Sequence, residues 1–236
     1  MVAEARALKL TSDEHFTVDR TLIEAWASLK SFKRKDAGPS EPPDDPGNPS
    51  VNFHGQRRSN QTHQSSTAPE SLLAKKGAGK EAKLCYSAHA LMENRNTILI
   101  DFQVEPADGR AERRAAIAMV GECLPGSQRI TLGGDAGYDT RDFVESCRAL
   151  KVTPQVAQNL ERAGGSALDA RTVRHPCYAV SQWIRKRVEE TFGWIKTIGG
   201  LRRTRYRGRQ RVQMHAYLVA ACYNLLRIAK LSGAPA

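Results

Sequence analysis

Residues 129–137 read RITLGGDAG and combine a short strand with an acidic turn. The apolar alternation in Ile130-Thr131-Leu132 predicts the strand. The two glycines before Asp135 let the backbone turn sharply, and Gly137 behind it lets a phosphate approach closely. Ligands of open α/β sheets gather at the carboxyl ends of strands, which is where Asp135 stands. The alternative is that these glycines serve only a tight turn.

Two further acidic residues occupy comparable places. Asp19 ends the alternating run His15-Phe16-Thr17-Val18, and Glu189 lies in a predicted helix. Two divalent ions need several anionic oxygens that converge from separate elements. We therefore interpret Asp19, Asp135 and Glu189 as candidate ligands of a two-metal phosphoryl-transfer site. A solvated acid at a strand end is the competing interpretation for each aspartate.

Hydrophobic periodicity predicts five strands and five helices. The strands are expected at Phe16–Val18, Lys83–Leu91, Thr97–Glu105, Ile130–Leu132 and Val152–Val156. The helices are expected at Thr21–Phe32, Ala111–Leu124, Thr140–Leu150, Tyr178–Ile198 and Val212–Leu231. Apart from the short first helix, this is three strands followed by alternating helices and strands. That succession predicts the α/β fold class, with a ribonuclease-H-like mixed sheet flanked by helices.

Local signals refine these boundaries. Residues Glu93–Asn96 predict a hairpin turn in which asparagine tolerates positive φ. Thr140 is a candidate N-cap, and Pro154 confines its strand to an edge or a bulge. Residues 1–12 are expected to be a frayed N-terminal segment, and residues 160–175 are expected to be a loop.

A long insert is predicted after the first strand, at residues 36–83. It contains six prolines, many small polar residues and only four large apolar ones. Such a stretch cannot bury enough surface to offset its ordering entropy. We expect it to be mostly irregular and the chain to form one domain over residues 1–236.

The charge of the chain favours a polyanionic partner. Among 236 residues the net charge is +11, and the isoelectric point is about 9.7. The segment 171–211 contains twelve Arg or Lys and two acids. This balance indicates a nucleic acid rather than an acidic membrane surface, although a solvated basic face would look similar.

The five cysteines are odd in number and scattered, with no Cys-x-x-Cys pair or zinc-type spacing. Reduced thiols in the cytoplasm are therefore expected. The N-terminus lacks the apolar core of a signal peptide, and no apolar run is long enough for a transmembrane helix. No membrane partner is therefore predicted.

The predicted helix around Glu189 carries two cations beside it. At about 100° per residue, Arg185 and Lys196 fall within roughly 40° of Glu189, at the edge of an apolar stripe. That face could hold a metal ligand while Arg185 and Lys196 contact phosphates. The alternative is a surface salt-bridge ladder between Arg185 and Glu189.

At these residues the sequence resembles bacterial insertion-sequence transposases of the Asp-Asp-Glu class, specifically the insertion-sequence-five group. The most specific element is Arg185-x3-Glu189-x6-Lys196, which matches the family's Tyr-x2-Arg-x3-Glu-x6-Lys signature except that Gln182 replaces the tyrosine. Other resembling segments are Val18–Ser28, Phe53–Gly55, Arg58–Asn60, Gly79–Cys85, His89–Asn96, Gly134–Asp139 and Ala157–Asn159.

The resemblance implies Asp19, Asp135 and Glu189 as a catalytic triad that binds two Mg²⁺ or Mn²⁺ ions. It implies cleavage at the terminal repeats of an insertion sequence and strand transfer into target DNA, by a homo-oligomer assembled on DNA at the bacterial nucleoid. Arg185 and Lys196 would neutralise phosphate charge. The basic C-terminal segment 199–236 would extend the DNA-binding surface through Arg202, Arg203, Arg205 and Arg207.

Three departures keep alternatives open. Arg20 stands where the family favours glycine, and Ala136 where it favours lysine. Family members also carry an N-terminal helical segment that this chain is expected to lack, so the resemblance is to the catalytic part. One alternative is a catalytically inactive DNA-binding transposase remnant, and another is a stand-alone nuclease with the same triad.

Overall fold

The computed structural model describes residues 1–36, 58–77, 79–124, 126 and 129–233. The resembling segment Phe53–Gly55 and much of the predicted insert lie outside these ranges. Within them, no helix is both long and apolar enough to span a bilayer. All five cysteines are free thiols.

The described ranges contain eight strands and seven α-helices. The strands are β1 (His15–Glu24), β2 (Phe32–Arg34), β3 (His63–Ser65), β4 (Leu72–Ala74), β5 (Lys83–Glu93), β6 (Leu99–Pro106), β7 (Ile130–Gly134) and β8 (Val152–Val156). The helices are α1 (Val2–Ala7), α2 (Ala111–Cys123), α3 (Arg141–Ala149), α4 (Ala170–Arg174), α5 (Pro176–Ile184), α6 (Arg187–Thr197) and α7 (Arg209–Leu231).

Six of these strands form one mixed sheet. The path runs β4-β5-β1-β7-β8, and β6 also pairs with β5. Strand β5 is antiparallel to β1, β4 and β6, whereas β1 pairs in parallel with β7 and β7 with β8. Because β4 pairs with residues 83–85 and β6 with residues 86–92, both lie along the edge of β5 opposite β1. The predicted mixed sheet flanked by helices is therefore confirmed.

Helices cover both faces of the sheet, so β5 is buried from Leu84 to Glu93. Its alternate residues enter two apolar clusters, as the period of two in a strand requires. Tyr86 and Met92 pack with Phe192 and Val219 of α6 and α7. On the opposite face, Leu91 packs with α2 and α3.

Side chains of α7 and α5 form hydrogen bonds with backbone groups of two edge strands, β6 and β8. On β6, Gln213 and Asn224 of α7 exchange hydrogen bonds with the backbone at residues 99–104, at 2.6–2.9 Å. On β8, Tyr178 and Gln182 of α5 donate to the carbonyls of Val156 and Gln155. The predicted edge position of Pro154 is confirmed, because β8 ends the strand order.

Long-range pairing overrides the predicted helix at Thr21–Phe32. In the structure β1 continues to Glu24, and its residues 16–24 pair with β5 in continuous register. Leu22 and Ile23 fit a helix and a strand equally well, so the choice depends on a partner some sixty residues away. The helix prediction is wrong over its whole length: residues 21–24 belong to β1, residues 29–31 form a 3₁₀ turn, and Phe32 begins β2.

Tertiary contacts also order segments that were expected to be irregular. Residues 2–7 form α1, in which Ala5 is fully buried in the α2–α3 cluster and Arg6 donates to the Cys123 carbonyl at 3.0 Å. The described part of the insert contains β3 and β4, and β4 extends the main sheet. A short helix, α4, lies in the predicted loop 160–175.

The β5–β6 turn forms where it was predicted, but a different residue has positive φ and a side chain stabilises the turn. The residue with positive φ is Thr97, at 57°, and not an asparagine. The buried Glu93 carboxylate accepts hydrogen bonds from the backbone N–H groups of Arg95 and Asn96 and from the Ser12 hydroxyl. A side-chain carboxylate therefore closes this turn.

His89 makes the stability of the fold depend on pH. It is fully buried on β5, and neither ring nitrogen has a hydrogen-bond partner among the described residues. Burial, reinforced by Arg20, lowers its pKa from 6.5 to about 4. The unfolded chain therefore binds a proton at His89 between pH 6.5 and 4 that the folded chain does not, so stability falls as the pH falls through this window.

We expect His89→Leu to weaken this acid sensitivity. Between pH 7 and 4.5 the wild type should lose about 2–3 kcal/mol more free energy of unfolding than the variant, at about 1.4 kcal/mol per pKa unit. Urea unfolding at both pH values measures the difference. Parallel pH profiles for the two proteins would contradict the assignment of this proton uptake to His89.

Candidate active site

The pairing of β1 with β7 brings two of the predicted acids together. Their last register pair is Thr17 with Gly133. Asp19 and Asp135 each stand two residues beyond that pair, and residues two apart in a strand face the same side. The two carboxylates therefore leave adjacent parallel strands at the same level and on the same face.

Each aspartate uses one carboxylate oxygen to fix its own turn. Oδ1 of Asp19 accepts a hydrogen bond from the Arg20 N–H at 2.7 Å. Oδ1 of Asp135 accepts one from the Gly137 N–H at 2.8 Å, which caps the 3₁₀ turn Ala136–Tyr138. Neither Oδ2 has a hydrogen-bond partner in the described part of the chain, so one oxygen of each carboxylate remains available to a ligand.

Helix α5 approaches this face of the sheet over Gly133. A methyl group added to Gly133 would lie 3.1 Å from the Ser181 hydroxyl oxygen and 3.4 Å from Arg185 Cβ. The Ser181 hydroxyl is also hydrogen bonded to His15 Nε2 at 2.9 Å. The missing side chain at Gly133 thus lets α5 pack closely, which brings Arg185 beside the aspartates.

Glu189 enters from the first turn of α6. The single helix predicted over Tyr178–Ile198 is divided into α5 and α6. Across the division the N–H groups of Lys186, Val188 and Glu189 bond to carbonyls three residues earlier, at 3.0–3.4 Å. The chain tightens there into a 3₁₀-like turn. The apolar stripe was placed correctly, because Val188 and Ile195 are buried while Glu189 and Glu190 are exposed.

The three acids are close enough to affect each other electrostatically. Burial and, after it, the negative charges of Asp135 and Glu189 raise the pKa of Asp19 from 3.8 to about 6. The Arg20 N–H and the Arg185 guanidinium oppose this shift. Arg185 and Glu189, both described, form no ion pair with each other, so the predicted salt-bridge alternative is not present here. Arg185 instead donates to Gln182 at 3.0 Å.

The chemistry of this donor set suits a divalent cation. Carboxylate oxygens are the preferred ligands of Mg²⁺ and Mn²⁺. The mutual repulsion that raises the Asp19 pKa would be relieved by a bound cation. Among the described residues, however, no group of three His, Cys, Asp or Glu side chains lies close enough together to hold a metal ion. Ligation by all three acids would therefore need their side chains to come closer together.

The predicted DNA-binding cations occupy three places. Arg185 lies at the acids, and Lys196 and Arg202 line one cavity together. Arg203 stacks on the Trp26 ring, with 4.7 Å from its guanidinium carbon to the ring centroid. Arg205 and Arg207 are exposed on the same loop.

Glu112 is a fourth acid at this site that the sequence reasoning missed. It forms an ion pair with Arg20, and its Oε1 would lie 2.7 Å from a methyl group added to Gly137. Burial raises its pKa, and Asp135 raises it further. A signal was present in the sequence, because Glu112 shares the apolar stripe of α2 with Ala116 and Val120.

A family model described as a transposase DDE domain matches residues 50–225, most of the chain. The chain belongs to this family. No curated protein matches this chain.

Solved structures similar to the transposase domain come from several DNA-processing assemblies. In the piggyBac transposase synaptic complex with hairpin DNA, the match covers 94% of this chain and 48% of that chain, at 9% identity and a TM-score of 0.50. A match to the Mos1 strand transfer complex covers 94% and 56%, at 10% identity and a TM-score of 0.30. One to a simian T-cell lymphotropic virus intasome bound to a PP2A regulatory subunit covers 80% and 40%, at 12% identity and a TM-score of 0.35.

The piggyBac likeness concerns the fold. It supports the predicted ribonuclease-H-like class, a mixed sheet flanked by helices as in transposase catalytic domains. The transposase domain spans roughly half the length of these solved chains.

The raised pKa of Asp19 leads to a stability test of the site. The folded chain binds a proton at Asp19 more tightly than the unfolded chain does, so stability is lost as the pH rises from about 4 to 6. In a chelator at pH 7.5, Asp19→Asn should therefore be more stable than wild type by about 1–3 kcal/mol, at about 1.4 kcal/mol per pKa unit.

Urea unfolding at pH 7.5 and pH 4 measures this difference. The advantage of Asp19→Asn should shrink at pH 4, and the control Asp13→Asn, at an exposed position outside the site, should not show it. An Asp19→Asn protein with no gain at pH 7.5 would contradict the destabilisation of the charged Asp19 carboxylate by burial and by the neighbouring acids.

Proposed function

We propose that this chain is the catalytic domain of an insertion-sequence-five-group transposase, over residues 1–236. It cleaves DNA strands at the ends of an insertion sequence and joins them to target DNA, in a reaction that depends on Mg²⁺ or Mn²⁺. The observation that carries the proposal is the convergence of three acids on one face of the sheet. Asp19 and Asp135 stand at matched positions on parallel strands, and Glu189 is near enough to raise the Asp19 pKa.

In this proposal Asp19, Asp135 and Glu189 hold two divalent ions. The bound ions supply activation of the attacking water or 3′-hydroxyl and neutralisation of the leaving oxygen. The chain contributes rigidity, since the Arg20 and Gly137 N–H groups fix one oxygen of each aspartate before the substrate arrives. Gly137 keeps the approach to Asp135 open.

Arg185 is assigned to the reacting phosphate. Its guanidinium lies close enough to lower the pKa of Asp19, and Gln182 orients it through a 3.0 Å hydrogen bond. Gln182 is in turn held by the Gln155 carbonyl on β8. Glutamine thus positions the arginine from the place that the family's tyrosine occupies.

The partner in this proposal is double-stranded DNA, including the terminal repeats and the target, bound by a homo-oligomer at the bacterial nucleoid. Lys196, Arg202, Arg203, Arg205 and Arg207 contact phosphates away from the reacting one. Support comes from the excess of basic residues between positions 171 and 211. Neutralisation of phosphates by such residues makes DNA affinity depend strongly on salt.

A DNA-binding remnant without catalytic activity is the second candidate. It is favoured by the spacing of the acids, since no three acidic groups in the described ranges stand at metal-ligand distance. The two candidates share DNA binding and differ in metal-dependent cleavage.

Adjacent glutamates provide a matched test of catalysis. Glu189→Gln should reduce Mn²⁺- or Mg²⁺-dependent nicking by at least about 100-fold, since it removes a proposed ligand and its charge, each worth several kcal/mol in a metal site. Glu190→Gln, which changes the same charge one residue away on the same exposed turn, should retain activity. The substrate is a duplex oligonucleotide that carries the repeats flanking the source locus.

Asp135→Asn should likewise abolish nicking while duplex binding is retained. Equal loss in Glu189→Gln and Glu190→Gln, or full activity in Asp135→Asn, would refute the triad. No nicking by the wild type, with salt-sensitive binding retained, would favour the inactive remnant.

A further inference from the structure

A second basic site lies where β1 ends and β5 begins. It is a cavity of about 360 Å³ lined by five cations and two acids. Its cations come from four parts of the chain: the segment between β4 and β5, the first residue of β5, helix α6 and the loop that precedes α7. They are Lys76, Lys80, Lys83, Lys196 and Arg202.

Most of this positive charge is uncompensated. Lys83 is paired with Glu24, with 2.8 Å between the ammonium nitrogen and the carboxylate oxygen. The side chains of Lys76, Lys80, Lys196 and Arg202 form no ion pair or hydrogen bond with other described residues. Glu81 is the remaining acid of the cavity. The site therefore has a net excess of cations that the described part of the chain does not balance.

Lys196 is the most informative of these cations because it is half-buried. Placing an ammonium group in partly desolvated surroundings costs free energy unless an anion accompanies it. Burial lowers the pKa of Lys196, and the positive charges of Lys76 and Arg202 lower it further. An external anion would remove this cost.

Backbone pairing holds the cations in place. The N–H of Glu24 donates to the Arg202 carbonyl at 3.1 Å, and Thr204 N–H donates to the Glu24 carbonyl at 2.9 Å. On the other side, β4 pairs with β5 through Ala74 and Lys83. Ala74 precedes Lys76 by two residues, so this pairing also limits the position of Lys76. The cavity is thus built onto the end of the main sheet.

The cavity lies along the same elements as the three acids. Lys196 follows Glu189 by seven residues, which places it on the same face of α6 about 10 Å further along the helix. Glu24 follows Asp19 by five residues on β1, or about 16 Å, and this odd spacing turns the two side chains to opposite faces of the sheet. The position of Lys196 on α6 is therefore what would let a duplex whose phosphate reaches the acids place another phosphate of the same backbone at the cavity.

An arginine-rich cavity between α2 and α3 differs in this respect. There Arg113 donates to the Gly137 carbonyl at 3.0 Å, Arg114 pairs with Asp108, and Arg162 donates to the Asp139 carbonyl at 2.7 Å. Those guanidinium groups bind the chain itself. The cavity at the end of β1 instead combines the half-buried Lys196 with several uncompensated neighbours.

We propose that Lys76 and Lys80, together with Lys196 and Arg202, bind a backbone phosphate of DNA at a distance from the reacting phosphate. The inference rests on the proposed function and adds two residues of the insert to its DNA-binding surface. It assigns the segment between β4 and β5 a direct role in holding the substrate.

The salt dependence of duplex binding tests this inference. Each phosphate contact contributes about 0.9 to the slope of log affinity against log salt concentration. Lys76→Gln/Lys80→Gln should therefore lower the slope by about 0.9, the contribution of this one phosphate, whereas Lys9→Gln/Lys230→Gln, which removes two exposed charges elsewhere, should leave it unchanged. Lys76→Arg/Lys80→Arg should retain the wild-type slope, since it keeps both charges.

Lysine acetylation, followed by mass spectrometry, locates the contact directly. A duplex oligonucleotide should protect Lys76, Lys80 and Lys196 but not Lys9 or Lys230. Equal protection by a deoxynucleoside monophosphate would show that the site takes a free phosphate and would overturn the assignment to DNA.

The outcomes separate this inference from the function on which it rests. Duplex binding with an unchanged slope and no protection of Lys76 and Lys80 would overturn this inference alone. A wild-type chain that does not bind duplex DNA would overturn both. Thermal melts of the variants check that folding is unchanged.

Discussion

The parallel pairing of β1 with β7 is the constraint on which the site depends. These strands are some 115 residues apart in sequence, yet their register fixes Asp19 and Asp135 at matched positions. A slip of one residue would send one carboxylate to the opposite face, because side chains in a strand alternate. The burial of both faces by helices prevents such a slip, since it would also expose the apolar residues of β1. Packing of the whole core thereby determines the geometry of the site.

Much of this arrangement could be predicted from the sequence, and the exceptions have physical causes. The β5–β6 hairpin, the N-cap at Thr140, the edge position of Pro154 and the last helix are local signals, and each is confirmed. The end of β1 and the presence of β4 depend on pairing with β5, which no local window contains. The break between α5 and α6 was missed because apolar periodicity continues across it. The acids were predicted as candidates, and Glu112 was missed because α2 was treated only as a packing helix.

The site and the cavity at the end of β1 store opposite charges. Near Asp135 the chain concentrates carboxylates, and burial, together with the charges of Asp135 and Glu189, raises the pKa of Asp19. At the cavity it concentrates cations, and burial, together with the charges of Lys76 and Arg202, lowers the pKa of Lys196. Each cluster reduces the stability of the isolated fold. A metal at one and a phosphate at the other would return that free energy on binding, so ligands and folding are thermodynamically linked.

The hydrogen bonds from helix side chains to the edge strands β6 and β8 limit how copies of this chain can join. An open edge offers unpaired N–H and C=O groups to any passing strand. Here glutamine and asparagine of α7 occupy those groups on β6, and Tyr178, Gln182 and Pro154 leave little to pair on β8. Strand pairing between copies at β6 or β8 is therefore disfavoured. In the proposed homo-oligomer on DNA, contacts between copies would be made through side chains of helices and loops, which can separate more readily than a shared sheet.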